Sequence, residues 1–382
     1  MIKKITITTG TRADYGFLVP IIQQISKTSN LEYSLIVTGM HLSKKYGYTI
    51  NQILKDNLKI HAKVNSSPSG NTPYHMSKAL GKSVVSFSKI FQKLKPDMNI
   101  IFGDRDEQLA SGLAAYHMNI LNIHIHGGDV SGGIDEYNRH AMTKISNVHF
   151  AASQESKKRI LKMGENSSKV FFVGSTAIDS IKNKNIPSKK FLESKLKLKI
   201  QGNEILLLFH PNTTESKESE KQITTILNAV VKLKNPTIAI LPNNDAGNYE
   251  IREKLIQYSK KYNFIKLFPT LERNDFLGLL KYCGLLLGNS STGFVEGSYF
   301  SIPILNIGVR QHNREGGNNI IEIKKFDTNL VYNKMIHALK IKNKGILKKT
   351  GVYGNGHASE KIIKIISSLK INSESIKKEL KY

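Results

Sequence analysis

Met98-Asn99-Ile100-Ile101-Phe102 runs straight into Gly103-Asp104-Arg105-Asp106-Glu107, and Ile120-Leu121-Asn122-Ile123-His124 runs into Ile125-His126-Gly127-Gly128-Asp129. Each is a short apolar run that ends in a knot of charge and glycine. A strand buried on both faces reads this way when its carboxyl end opens into a polar loop. The second knot continues through Asp135-Glu136 to Arg139-His140, so imidazoles, carboxylates and an arginine fall close together. Open α/β sheets carry their chemistry at the carboxyl ends of their strands. The chain therefore reads as an enzyme.

The same alternation extends outward from these two segments. Ile2–Thr8, Tyr33–Thr38, His149–Ala152 and Val170–Val173 are strand-like, and a helical stretch runs from about Asp14 to Thr28. After a Lys-rich, Pro-containing connection near Lys182–Lys190 the pattern restarts, with strands at Glu204–Phe209, Thr237–Leu241, Ile265–Phe268, Leu285–Leu287 and Ile304–Ile307. Alternating strands and helices predict parallel sheets covered on both faces. The expectation is an α/β chain of two Rossmann-like domains, residues 1–180 and 181–382, with sheets facing a cleft that takes the ligand. The tail after about Glu360 is helical and Lys-rich, and can pack back on the first domain.

Composition excludes several classes. At 382 residues the chain exceeds the ~250–300 at which single cores stop growing, which also favours two domains. No apolar run approaches the ~20 residues that span a bilayer, so no membrane association is expected. The N-terminal Met1-Ile2-Lys3-Lys4-Ile5-Thr6-Ile7 reads as a first strand, not a signal peptide. The one cysteine, Cys283, rules out an internal disulfide and lies in an apolar run, consistent with a buried, inert thiol in a cytoplasmic protein. The net charge of +26 suggests nucleic acid at first sight. Its lysines, however, are spread along the chain and interleaved with apolar residues, as in Lys182 to Lys199 and Lys340 to Lys349, and no nucleic-acid motif is present. A basic surface instead speeds the arrival of an anionic substrate.

Arginine is more selective. Of eight arginines, Arg12, Arg105, Arg139, Arg310 and Arg314 all fall in polar knots. A chain that uses lysine where charge alone suffices has kept the forked guanidinium where bidentate binding of phosphate or carboxylate is needed.

The first strand leads into Thr9-Gly10-Thr11-Arg12-Ala13-Asp14-Tyr15-Gly16. This is not G-x-G-x-x-G, so a nicotinamide dinucleotide is not indicated. The turn suits either an anion at a helix start or a helix capped by Asp14. Leu287-Gly288-Asn289-Ser290-Ser291-Thr292-Gly293-Phe294-Val295-Glu296 goes from strand to hydroxyl-rich turn to helix, a place for a diphosphate, with Glu296 in reach of ribose hydroxyls. His210, Asn243-Asn244-Asp245 and Arg310-Gln311-His312-Asn313-Arg314 occupy further strand ends in that half. His124 and His126 would share a face if extended, but further metal ligands are not nominated and H-E-x-x-H is absent. Without G-x-S-x-G a serine hydrolase is not indicated. What remains is acid–base work by Asp104, His126, Asp129, Asp135 and His41, opposite a nucleotide-sized anion site.

Together these segments, with Val37-Thr38-Gly39-Met40-His41 and Val173-Gly174-Ser175, resemble the hydrolysing UDP-N-acetylglucosamine 2-epimerases from residue 9 to 314. The resemblance implies a glycosyltransferase-B-like fold, no metal or other cofactor, and a homodimer or tetramer. It implies that a base takes the C2 proton while UDP leaves C1, giving a 2-acetamidoglucal to which water adds with inverted C2. It makes Asp104, His126 and Asp135 catalytic candidates. Arg12, His210, Ser290, Ser291 and Glu296 become nucleotide ligands, and Asp14, His41, Arg105, Arg139, Asn244, Gly293, Arg310 and Arg314 fill out the substrate site.

The first expected reaction is UDP-N-acetylglucosamine to N-acetylmannosamine. The alternative is the same reaction on UDP- or GDP-linked 2,4-diacetamido-2,4,6-trideoxyglucose. A non-hydrolysing epimerase, a glycosyltransferase and a non-catalytic nucleotide-sugar binder rank below both. The chain departs from its relatives at His126, where non-hydrolysing members carry Glu. It departs again at Asp129, where many hydrolysing members carry Glu, and at Tyr137-Asn138, where Ser-Ile is usual.

Overall fold

The computed structural model describes residues 2–379 apart from 45–46, 71, 131–133, 184–185, 244, 346 and 348–349. Of the described residues, 2–129, 134–182 and 353–379 form one compact unit, and Val130 with 183–352 make up the other.

The first unit is built on β1 (Lys3–Thr9), β2 (Leu31–Thr38), β3 (Ile60–Val64), β4 (Met98–Phe102), β5 (Leu121–Ile125), β6 (Val148–Ala151) and β7 (Val170–Phe172), in spatial order β3-β2-β1-β4-β5-β6-β7. The second is built on β8 (Ile205–Leu208), β9 (Thr237–Ile240), β10 (Ile265–Phe268), β11 (Leu285–Gly288), β12 (Ile304–Ile307) and β13 (Ile320–Ile323), in order β10-β9-β8-β11-β12-β13. Every pairing is parallel. The central strands are buried on both faces, because helices cover each side.

The strand order reverses between β1 and β4 in one sheet and between β8 and β11 in the other. Such switch points are where open sheets bind ligands. The loops leaving them are Thr9–Gly16 and Gly103–Glu107 in the first unit, and His210–Glu215 and Asn289–Ser291 in the second. Topology thus selects the polar knots singled out by sequence.

A buried polar ladder fixes register at the first switch point. Thr6 donates to Asn99 Oδ1 at 3.0 Å, and Asn99 Nδ2 to Asn122 Oδ1 at 3.0 Å, across β1, β4 and β5. Gln108 then ties the ends of β1 and β4 together: its Nε2 donates to the Thr8 carbonyl at 2.7 Å and its Oε1 accepts from Phe102 N at 3.1 Å. Sliding either strand by one residue would orphan these groups in the interior, which is costly.

The first helix begins at Arg12 rather than near Asp14. Its cap is Thr11, and Asp14 closes a capping box from the third helical position. Two strands differ from the sequence expectation by being present at all. β3 and β13 are edge strands that each interrupt a short apolar run with charge, Lys63 in one and Glu322 in the other, and most of their residues are half-buried or exposed, so the pattern did not mark them.

The C-terminal segment belongs to the first unit. The carboxylate of Asp179 accepts from Ala358 N at 3.0 Å and Ser359 N at 2.6 Å, capping the helix Ala358–Ser368 from another element. Lys378 reaches Glu165 at 2.7 Å, alongside Lys144 and the buried His149, each at 3.1 Å. Burial pushes the Glu165 carboxyl up, but hydrogen bonds from His149 and Lys378 outweigh it and hold the group at about 2. Burial keeps His149 neutral, so it is the Nε2–H that donates.

A carboxyl depressed on folding contributes stability that is complete above its ordinary value of 4.5 and lost as the pH falls toward 2. Glu165→Gln is expected to cost about 1–3 kcal/mol at neutral pH. Thermal melts of the two proteins should converge as the pH drops through that window, and a gap that persists at low pH would contradict this account.

Candidate active site

Two strand ends carry the candidates of the first unit. β4 hands over to Gly103 and Asp104. β5 ends at Ile125, and His126 then turns into the left-handed region at φ +63. His124 and His126 therefore do not share a face, as an extended strand would have given. His124 points into the core, where its Nε2 faces the Gly103 carbonyl at 2.9 Å, and burial lowers it to about 3. A ring that stays neutral at physiological pH and meets only protein atoms is a structural group.

His126 is packed between the rings of Phe17 and Phe102, with centroids 5.2 and 5.0 Å away. Its Nδ1 meets Asp129 Oδ2 at 3.0 Å and its Nε2 meets Ser175 Oγ at 3.0 Å. Asp129 is wholly buried, and its other oxygen accepts from Ser156 Oγ at 2.7 Å. It thus orients His126 from behind. The turn between them depends on Gly128, where a Cβ would lie 2.2 Å from the Ser156 carbonyl oxygen and φ is +72. Arg159 holds this turn through the Gly128 carbonyl at 2.8 Å.

Asp104 and Asp135 are carboxylates with part of their surface open to solvent. Asp104 has 20% of its side chain exposed, and Asp135 is half-buried in the first turn of the helix Ile134–Lys144. Arg139, itself buried, ties the site together: Nη2 is paired with Asp104, and Nη1 donates to the His126 carbonyl at 2.7 Å. The arginine read as a substrate ligand is thus the brace of the acid–base site. Asn138 donates to Asp106 at 2.8 Å, and Tyr137 points outward.

Other candidates at these strand ends are enclosed. Asp14 accepts from Gly10 N, Thr11 N and Thr9 Oγ1, each at 2.9 Å, so it shapes the loop rather than meeting a ligand. His41 is fully buried between the hydroxyls of Thr9 at 3.0 Å and Thr49 at 2.8 Å, and burial lowers it, so it too supports the loop. Arg105 is paired with the buried Glu107 at 3.2 Å. Arg12 stands at the helix start, and burial pulls its guanidinium down to about 10. A poorly hydrated cation at a positive helix end suits an anion.

In the second unit, β11 ends at Gly288, where φ is +142 and a Cβ would sit 1.9 Å from the Leu208 carbonyl oxygen of β8. Only glycine lets the two switch-point strands approach so closely. Asn289 then pairs reciprocally with the His210 backbone, accepting from its N–H and donating to its carbonyl, both at 2.8 Å. His210 Nδ1 accepts from Asn243 N at 3.2 Å, which leaves the proton of the neutral ring on Nε2. The donor face of that imidazole is thereby set by the backbone.

Ser290 occupies the N-cap position of the helix Ser291–Phe300, but its hydroxyl makes no capping bond. Gly293 serves packing instead of binding: its N–H is taken by the Ser290 carbonyl at 3.1 Å, and a Cβ would lie 2.7 Å from Ile304 Cγ2. Glu296 is fully buried, with one oxygen 2.5 Å from Arg273 Nη2 and the other, Oε2, without a hydrogen-bond partner among the described residues. A buried orphan carboxylate oxygen calls for a donor such as a ribose hydroxyl. Arg310 donates to the Asn289 carbonyl at 3.3 Å and Arg314 to Gln311 at 2.9 Å. Asn244 lies outside the described residues.

Among the described residues no group of three or more His, Cys, Asp or Glu is placed to hold a metal ion, and no helix is long and apolar enough to cross a membrane. Arg159, Arg273, Ser156, Ser175 and Asn289 were not nominated from sequence, because each sits far along the chain from the group it holds or reads as an ordinary loop residue.

Comparison with known proteins gives the family and the fold. The family model described as UDP-N-acetylglucosamine 2-epimerase matches residues 23–367. The chain is 32% identical to the UDP-N,N'-diacetylbacillosamine 2-epimerase (hydrolyzing) of Legionella pneumophila over 99% of both chains. It is 35% identical to the GDP/UDP-N,N'-diacetylbacillosamine 2-epimerase (hydrolyzing) of Campylobacter jejuni over 87% of each. Its fold is that of the Neisseria meningitidis UDP-GlcNAc 2-epimerase solved with UDP-GlcNAc, at a TM-score of 0.81 and 20% identity over 96% of this chain and 99% of that one. Two Rossmann-like units of the glycosyltransferase-B-like class, with this family match over most of their length, place the chain in the UDP-N-acetylglucosamine 2-epimerase family.

Proposed function

We propose that the chain is a hydrolysing 2-epimerase of a UDP- or GDP-linked 2,4-diacetamido-2,4,6-trideoxyglucose, releasing the free manno sugar and the nucleoside diphosphate. The observation that carries this is the near full-length match to two relatives named as hydrolysing diacetylbacillosamine 2-epimerases. UDP-N-acetylglucosamine, the first expectation from sequence, becomes the second reading.

The chemistry divides between the units. In the first, a base takes the C2 proton as the C1–O bond to the nucleotide breaks and C1=C2 forms. Water then delivers its oxygen to C1, and a proton returns to C2 from the opposite face. Two partly accessible carboxylates, Asp104 and Asp135, suit the proton transfers, and Arg139 joins Asp104 to the backbone of His126, whose ring is held by Asp129. In the second unit, the departing diphosphate meets the helix start at Ser290 and Ser291, the Nε2–H of His210, and Arg310 and Arg314. The orphan oxygen of Glu296 takes ribose hydroxyls. Charge developing on a leaving group is stabilised best by such preorganised donors.

Glu296→Gln is expected to weaken UDP binding about tenfold in calorimetry, because a carboxylate acceptor becomes a neutral amide. Unchanged affinity would remove Glu296 from the nucleotide site. Substrate choice is tested by kcat/KM for UDP-linked diacetamido-trideoxyglucose against UDP-N-acetylglucosamine. A preference of at least about tenfold for the former is expected, since an extra acetamido group offers a site-specific hydrogen bond. A preference for the latter would reverse the assignment.

A further inference from the structure

We propose that Ser175 is a positioning residue of the acid–base site, its hydroxyl serving as the partner of His126 Nε2 in both protonation states of the ring. The inference rests on His126 working in the hydrolysing 2-epimerase reaction proposed above. Ser175 falls in Val173-Gly174-Ser175, a segment to which neither the chemistry nor the nucleotide site has given a role.

The proton positions follow from the partners. Asp129 is enclosed and takes the Ser156 hydroxyl on Oδ1 at 2.7 Å, so it accepts, as a carboxylate does. Its Oδ2 faces His126 Nδ1 at 3.0 Å, which puts a proton on Nδ1. The neutral ring then has its lone pair on Nε2, and the group 3.0 Å away is Ser175 Oγ. Ser175 Oγ itself accepts from Ala177 N at 3.3 Å, leaving its own proton to donate to the ring. When His126 gains a proton, Nε2 becomes a donor, and the hydroxyl rotates to accept. A methyl group can do neither, and an amide or carboxylate suits one state better than the other. A hydroxyl is the small group that satisfies a buried imidazole through a full proton cycle.

Ser175 is also rigidly placed. It is 1% exposed, and its N–H donates to the Tyr353 carbonyl at 2.8 Å, where the chain re-enters the first unit. Gly174 before it, at φ +91, meets the same carbonyl oxygen, which a Cβ would approach to 3.0 Å. The charged groups facing His126 are Asp129 at Nδ1 and Arg139 at its carbonyl, and the flanking rings are Phe17 and Phe102. Among the described residues, the polar neighbour that the fold fixes at Nε2 is Ser175.

The test combines nitrogen NMR with kinetics on the full chain. Long-range proton–nitrogen spectra of protein labelled with ¹⁵N-histidine report each ring's tautomer, and His126→Gln identifies the His126 signals. The expected wild-type pattern is a protonated Nδ1 and a hydrogen-bonded, acceptor Nε2. In Ser175→Ala the Nε2 resonance should move toward that of a free imidazole nitrogen. With UDP-linked diacetamido-trideoxyglucose, kcat should fall about tenfold with KM within about twofold. Ser175→Thr, which keeps the hydroxyl, should restore both.

A protonated Nε2 in the unaltered protein would overturn the proposal, as would a nitrogen spectrum and kcat untouched by Ser175→Ala. A purely structural serine would lower the melting temperature and leave the His126 nitrogen shifts in place. If the unaltered protein turns over no nucleotide sugar, the functional reading fails, and the nitrogen shifts still decide the role of Ser175.

Discussion

Asp104→Asn is expected to lower kcat about a thousandfold while UDP affinity stays within about threefold. Asp104 is a partly exposed carboxylate at the switch point of the first sheet, close after β4, and it is held in place by Arg139. Asparagine has the same shape and still offers an oxygen to that guanidinium, so the brace survives. What disappears is the charge and basicity of the carboxylate. A positioned base or acid is worth roughly 10²–10⁴ in rate. The effect should fall on kcat and kcat/KM together, as it does when a contact is made only in the transition state. Steady-state turnover and UDP calorimetry on the same preparation separate the possibilities. A raised KM with unchanged kcat would make Asp104 a binding residue.

Arg139→Met should be the most destabilising single change at the site, and should also abolish turnover. It leaves the Asp104 carboxylate and the His126 carbonyl without their donor in a largely enclosed setting. Breaking a buried pair by removing one partner costs roughly 3–5 kcal/mol, and the partial exposure of Asp104 places the expectation near about 3 kcal/mol. Lysine is a poor replacement, because one ammonium does not reproduce two donors aimed at two acceptors. Adding Asp104→Asn to Arg139→Met should recover part of the lost stability, since the unpaired charge is then gone, while activity stays absent. A double variant whose loss equals the sum of the single losses would show that the two side chains are not coupled.

The frame of the molecule was readable because its central strands are apolar on both faces and end in charge. β4 and β5 announce themselves this way, and so do β8 and β11. β3 and β13 do not, since each is a short run broken by a charged residue, Lys63 and Glu322, and most of its residues are half-buried or exposed.

The site was readable in outline but not in its wiring. Asp104, His126 and Asp135 could be nominated because they cluster along the chain. That His126 takes a left-handed φ and turns away from His124 depends on the packing of the turn through Gly128 against Ser156, which no local pattern encodes. Arg139 looked like a ligand because arginine in a knot suggests an anion, and the anion turns out to be Asp104. Arg273 and Arg159 lay outside every knot, yet they hold Glu296 and the Gly128 turn. Contacts across more than twenty residues are set by topology, and spacing in sequence is blind to them.

The central claim is C2 epimerisation coupled to hydrolysis, and proton NMR in deuterated water tests it most directly. The purified protein is given UDP-linked 2,4-diacetamido-2,4,6-trideoxyglucose, with UDP release followed in parallel. The account predicts free manno sugar carrying deuterium at C2, formed in step with stoichiometric UDP. A UDP-linked manno sugar as the lasting product, or free sugar that keeps its C2 proton and gluco configuration, would contradict it.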